Sequence, residues 1–259
     1  VIVPDGVLFS LSFDLLTDQP ENSFASLADN CLLTKHNFSY QYSPLMIGSS
    51  KQEVKGKQNY IGFAPGFFET SKRDYVSAVK DSIRMDQHYL SLLPQPFTNA
   101  LLKKIEDKLG GDLFLEQQST LENFKRNAGD HKIVHIGTHS EFNNEKPELS
   151  KIDFSKNNGV NKDSNSLFLP DIYNCNIQSD LTLLTSCESG KPGYADGEGM
   201  VSFAHAFNYA GSKSILTALW KIDEQSTALI TEQFILNLSN KLPTHIALKK
   251  AKLSYLQQA

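Results

Sequence analysis

Lys132-Ile133-Val134-His135-Ile136-Gly137-Thr138-His139 reads as a buried strand running into a histidine at its C-terminal end. A near-continuous apolar run of this kind is how a strand covered on both faces appears in sequence. Leu181-Thr182-Leu183-Leu184-Thr185 repeats the pattern and ends at Ser186-Cys187. Around these two runs, strands and helices alternate. Tyr60 to Ala64 is a short strand stopped by Pro65-Gly66, and Leu113 to Leu115 is another. Residues 96–109 carry apolar positions at helical spacing, closed by Gly110-Gly111. Ser119 and Glu122 form a capping-box pattern that opens a helix ending at Gly129. Residues 197–210 read as a helix on Met200, Val201, Ala204 and Phe207, and residues 214–220 as a strand. Helices follow at about 224–239 and 244–257, the second capped by Thr244. Such alternation predicts the α/β class, a mostly parallel sheet with helices on both faces.

The flanks read differently. Residues 1–58 are expected to be a smaller β-rich region, on the strength of Val1-Ile2-Val3, the Pro4-Asp5-Gly6 turn and the alternation in Phe38-Ser39-Tyr40-Gln41-Tyr42. Residues 59–259 are expected to form the core. Opening inside a hairpin pattern, with no initiator methionine, the chain reads as a piece of a longer protein. Residues 67–92 read as loop with some helix. Residues 140–166, rich in Asn, Lys, Ser and Glu, read as one long mobile loop beside the cleft.

Composition narrows the function classes. The net charge is −4 without a block of like charge, so nothing asks for direct binding of nucleic acid or an anionic membrane. No apolar run approaches the ~18 residues that span a bilayer. Asp5 and Asp14 interrupt what would be a signal peptide, and three widely spaced cysteines suit a reducing cytoplasm better than a disulfide framework.

In open parallel sheets, active sites lie beyond the carboxyl ends of the strands. His139 and Cys187 both fall there, 48 residues apart. A thiol (pKa ~8.5) is only slightly ionised near neutrality. A histidine on a neighbouring strand end can take its proton and later give it to a leaving amine. Cys31 and Cys175 have no such company and read as structural, as does His205. His135 lies on the same strand face as His139 but ~13 Å away by strand rise, too far to share a metal ion, and reads as a packed residue. No G-x-S-x-G elbow supports a serine hydrolase.

Several blocks carry a family resemblance. His135-Ile136-Gly137-Thr138-His139-Ser140 resembles the H-x-x-T-H-G segment of CHAT domains, prokaryotic caspase-like peptidases related to separases. Leu184-Thr185-Ser186-Cys187-Glu188-Ser189-Gly190 is similar to their L-S-A-C-E-T-G. Gly197-Glu198-Gly199 with Phe203 to Gly211, Ala218-Leu219-Trp220-Lys221-Ile222-Asp223-Glu224, and the opening Pro4-Asp5-Gly6 with Leu11 to Leu16 resemble further family blocks in order. The match departs from the family at Ser140, where glycine is usual. The caspase signature Q-A-C-x-G itself is not met, because one extra residue stands before Gly190.

The resemblance implies a caspase–haemoglobinase-like fold and a cysteine endopeptidase with His139 and Cys187 as its dyad. Backbone N–H groups of Ser140 and Cys187 would form the oxyanion hole. The segment Trp220, Lys221, Ile222, Asp223 and Glu224 would pair with an extended substrate strand. Two readings stay open for Trp220, subsite wall or core, and two for Asp223 and Glu224, a helix N-terminal turn or selection of a basic P1 side chain. Glu188 and Glu198 would support the dyad from behind. No metal or organic cofactor is implied. Family members are often joined to TPR-type helical repeats, so a regulatory protein acting through a preceding repeat region is expected, with activation that needs no cut in the short 188–196 linker. A catalytically silent scaffold that kept the fold is the other reading.

Overall fold

Parallel pairing organises the larger part of the molecule. In this computed structural model, residues 1–41, 58–79, 85–156, 165–186, 193–195 and 199–258 are described. Strands β1 (Gln58–Ala64), β2 (Asp112–Leu115), β3 (His131–Ile136), β7 (Leu181–Leu184) and β10 (Ile215–Leu216) form one five-stranded sheet in the order β10-β7-β3-β1-β2. Every pairing in it is parallel. Between them in sequence lie β4 (Ser140–Glu141), β5 (Lys151–Asp153) and β6 (Ser166–Phe168), a three-stranded antiparallel sheet, and the pair β8 (Gly193–Ala195) and β9 (Gly199–Val201).

Strand side chains alternate between two faces, and each face is covered. Helix α5 (Pro96–Leu109) lies on the face of Gly62 and Gly137, and its Leu101, Leu102 and Ile105 are buried. It approaches so closely that a Cβ on Gly137 would stand 2.2 Å from Thr98 Cγ2. The other face presents Ile61, Phe63, Val134, Ile136 and Leu184 to Phe124 of α6 (Leu121–Asn127), Ile172 of α7 (Leu169–Tyr173) and Phe203 and Phe207 of α8 (Phe203–Tyr209). Phe63 stacks on Phe114 at 5.3 Å and meets Phe124 edge-on at 5.3 Å. Each such pair contributes ~0.5–1.5 kcal/mol beyond its buried area. The expected α/β architecture, helices on both faces of a parallel sheet, is what forms, and it suits a caspase-like fold.

Several local expectations are corrected. The α6 cap is Thr120, whose Oγ1 accepts from Asn123 N–H at 3.2 Å, not Ser119. The helix expected from 197 begins only at Phe203, with β9 before it. Of the strand expected at 214–220 only Ile215–Leu216 pairs. Thr244 is the first residue of its helix rather than its cap. The stretch expected as one loop, 140–166, contains β4, β5 and the start of β6, with Ile152 and Phe154 buried, while 157–164 lie outside the described residues. The strands are only two or three residues long, too short for a period to show, and Asp153 and Ser166 are polar residues that are nonetheless buried. The irregular stretch 67–92 contains α3 (Glu69–Ala78) and α4 (Gln87–Ser91).

The chain forms two compact units, residues 52–224 and residues 1–51 with 225–259. The smaller unit is not β-rich in its described part. Its N-terminal segment holds 3-10 turns at Gly6–Ser10 and Phe13–Leu15 and helices α1 (Phe24–Asn30) and α2 (Leu32–Lys35), with a single bridge between Ile2 and Tyr40. Asp5 caps the first turn through its side chain, and Ser23 caps α1. These local side-chain bonds compete with strand pairing. Helix α9 (Glu224–Ser239) enters this unit at Gln225, and α10 (Thr244–Leu256) completes it, packed on α2.

Asp14 is buried there, bound by Ser12 Oγ and by Lys252 Nζ. Burial opposes its ionisation, yet the Lys252 charge and these hydrogen bonds outweigh burial and hold its pKa below the ordinary carboxylate value. A depressed folded pKa gives stability that is present above ~pH 4 and is lost as pH falls through the folded value. Lys252→Ala leaves a buried carboxylate without its cation and is expected to cost about 1–3 kcal/mol at pH 7. In urea melts from pH 7 to pH 3, the gap between variant and wild type should shrink as pH falls. A gap constant with pH would show that Lys252 acts by packing alone.

Candidate active site

The chain leaves β3 in a fixed path. Gly137 N–H donates to Phe63 O at 2.9 Å, and buried Thr138 donates through Oγ1 to Asp153 O at 2.5 Å. His139 O then accepts from Asp153 N–H at 3.0 Å. β4 follows, paired with β5 in the register Ser140↔Ile152. Because residues 139 and 153 form the hydrogen-bonded pair, the alternation of an antiparallel ladder turns the Ser140 N–H away from β5. The position implied for one oxyanion donor thus follows directly on the histidine, on a strand that the buried Asp153 backbone anchors.

The ring of His139 is held from two sides. Its Nε2 lies 2.8 Å from Leu93 O. A carbonyl can only accept, so Nε2 carries the proton, and the neutral ring keeps its basic lone pair on Nδ1. Phe67 packs against the imidazole at 5.4 Å between ring centroids. Phe67 is fully buried, meets Tyr89 edge-on, and has φ +50°, an uncommon conformation for a bulky residue. Such strain collects where surrounding structure fixes a side chain for a purpose. Neither Leu93 nor Phe67 stands out in sequence. The available signal for Leu93 was Pro94, since a residue before proline is steered to extended backbone, which projects its carbonyl out of any helix.

Behind this layer, His135 is completely buried. Its Nδ1 meets Tyr60 Oη at 3.1 Å and its Nε2 meets Thr185 Oγ1 at 2.9 Å. Burial pushes its pKa down to about 3, so it is a neutral cross-link. It ties β1, β3 and the end of β7 two residues before Cys187. The packed role expected for His135 holds, and the bonding to Thr185 is additional.

Cys187, Glu188 and Glu198 lie outside the described residues, and so does the expected separation of Cys187 from His139. Buried Ser186 precedes Cys187, and its Oγ has no partner among the described residues. Trp220 is 49% exposed, which excludes the core reading. Lys221 and Asp223 are exposed and Ile222 is half-buried. Glu224 behaves as a helix-terminus group: Thr98 N–H, in the first turn of α5, donates to its Oε1 at 2.7 Å. Cys31 is fully buried. Cys175 is half-buried with Sγ 3.4 Å from Asp171 O, and burial pushes its thiol pKa up. His205 bonds Tyr173 Oη through Nδ1 at 3.1 Å. These three are structural, as expected.

The family model for the CHAT domain matches residues 1–259, the whole chain. The chain belongs to the CHAT domain family. Comparison with curated proteins gives no match. Membership makes this a caspase-like, peptidase-related fold, in line with the five-stranded parallel sheet. No described helix of this CHAT domain is long and apolar enough to cross a membrane.

Proposed function

We propose that this CHAT domain is a caspase-like cysteine endopeptidase with Cys187 as nucleophile and His139 as general base and acid. The observation that carries the reading is the hydrogen bond from His139 Nε2 to Leu93 O, which reserves Nδ1 as the basic nitrogen at the carboxyl end of β3. Nδ1 takes the Cys187 proton. The thiolate adds to the peptide carbonyl, and the N–H groups of Ser140 and Cys187 stabilise the oxyanion. The imidazolium returns the proton to the leaving amine as the C–N bond breaks. His139 then deprotonates water, which cleaves the thioester and restores the thiol.

The substrate is a protein segment bound as an extended strand along residues 220–224, with Trp220 as a subsite wall. Asp223 and Glu224 are the candidates for selecting a basic side chain. A regulatory protein partner, favouring the competent arrangement, belongs to the same proposal.

A peptide-library cleavage profile of wild type against Cys187→Ala, together with labelling by a thiol-reactive peptidyl probe, tests the reading. Cleavage and labelling are expected to disappear in the variant. Cleavage that survives in Cys187→Ala rules out the thiol mechanism. An intact chain, with its partner present, that neither cleaves nor labels would favour the silent scaffold.

A further inference from the structure

Two contacts place His139, and they come from distant parts of the chain. Its backbone O is held by Asp153 N–H in β5, and its ring Nε2 is held by Leu93 O, just after α4. One side-chain pair joins those two supports. His88 Nε2 in α4 lies 2.8 Å from Asp153 Oδ2. The Asp153 side chain is only 1% exposed, and its Oδ1 accepts from Ser166 Oγ at 2.6 Å. All four polar groups of this residue are therefore used: N–H on His139, O on Thr138, one carboxylate oxygen on β6 and the other on α4.

The result is a closed ring of bonds. From His139 Nε2 it runs to Leu93 O, back five residues along the chain to His88, across to Asp153, and from Asp153 N–H to His139 O. α4 has further supports beside His88. Asp86 caps it through Tyr89 N–H at 3.0 Å and pairs with Lys156 Nζ at 2.9 Å. Together with His88 those contacts hold α4, the short helix that leads to Leu93.

We propose that His88 and Asp153 are positioning residues for His139, their hydrogen bond holding the Leu93 carbonyl where it locks the Nε2–H tautomer. The proposal rests on His139 being the base of the reaction. A shift of ~1 Å in a group that orients a catalytic residue can cost ~10²-fold in rate.

The test uses the whole 259-residue chain. ¹⁵N NMR of the histidine rings reads the His139 tautomer directly, without any need for turnover. In His88→Ala, the Nε2–H signature of His139 should give way to a mixture of tautomers. In His88→Gln, whose amide nitrogen can occupy the place of the imidazole Nε2, it should persist. Peptide cleavage should follow: kcat about tenfold or more lower in His88→Ala with KM unchanged, and near wild type in His88→Gln. Asp153→Asn, which keeps the side-chain shape, should also release the tautomer. An unchanged His139 spectrum in folded His88→Ala overturns the proposal, and so does equal damage from alanine and glutamine. If wild type cleaves nothing while the tautomer responds as stated, positioning stands and only the peptidase reading fails.

Discussion

Replacing His139 by alanine is expected to lower kcat/KM for peptide cleavage by about 10²–10⁴-fold, the usual contribution of a positioned general acid–base. The loss should fall on kcat. The imidazole is only partly buried, so truncation removes one ring contact with Phe67 and one hydrogen bond to Leu93 O. The fold should therefore lose no more than about 1–2 kcal/mol. Strand β3 and the Asp153 ladder use the backbone of this residue and remain. Alkylation of Cys187 by iodoacetamide should slow in parallel, because the base that draws off the thiol proton is gone. His139→Ala with cleavage within tenfold of wild type and an unchanged melting temperature would exclude His139 as the base. His135→Ala should behave oppositely. It removes a buried cross-link between Tyr60 and Thr185, so its damage should appear first in stability.

The contrast between these two histidines marks how far the sequence could be read. The apolar run into His139 and the run into Cys187 identify strand ends, and parallel topology then places both beyond one edge of the sheet. That inference needs only strand period and the rule for open sheets, and the register Ile136↔Leu184 bears it out for the strands themselves. What carries His139 could not be read the same way. Leu93 acts through a backbone carbonyl, which is the same in every residue type. Phe67 acts through a left-handed backbone that only tertiary contacts maintain, and Asp153 looks like one polar residue in a polar stretch. The N-terminal segment misled for a related reason. Its alternation is short, and capping by Asp5 and Ser23 made local turns cheaper than strand pairing.

Gly110 and Gly111 read alike in sequence, as a helix stop, and are expected to respond very differently to alanine. Gly110 ends α5 with φ +65°, its N–H donating to Glu106 O at 2.8 Å, and a Cβ there would meet nothing within 4 Å. Gly110→Ala therefore bears only the conformational penalty of a backbone at φ +65° and ψ 161°, about 1–3 kcal/mol. Gly111 has φ +138°, and a Cβ would stand 2.0 Å from Tyr60 O and 2.8 Å from Tyr60 C. The obstacle is strand backbone, which cannot rotate away as a side chain would. Neighbouring Asp112 is in register with Ile61, so β2 can retreat only by giving up its pairing with β1. Tyr60 is itself fully buried and joined to His135, so β1 cannot yield either without disturbing the strand that ends in His139. Overpacking and a forbidden backbone together should cost about 3 kcal/mol or more. Urea denaturation of both variants checks this. Gly111→Ala should lose clearly more stability than Gly110→Ala, with a matching loss of soluble protein at 37 °C. Equal losses would mean that β2 is free to shift along β1, and that the sheet edge is not fixed by this close approach.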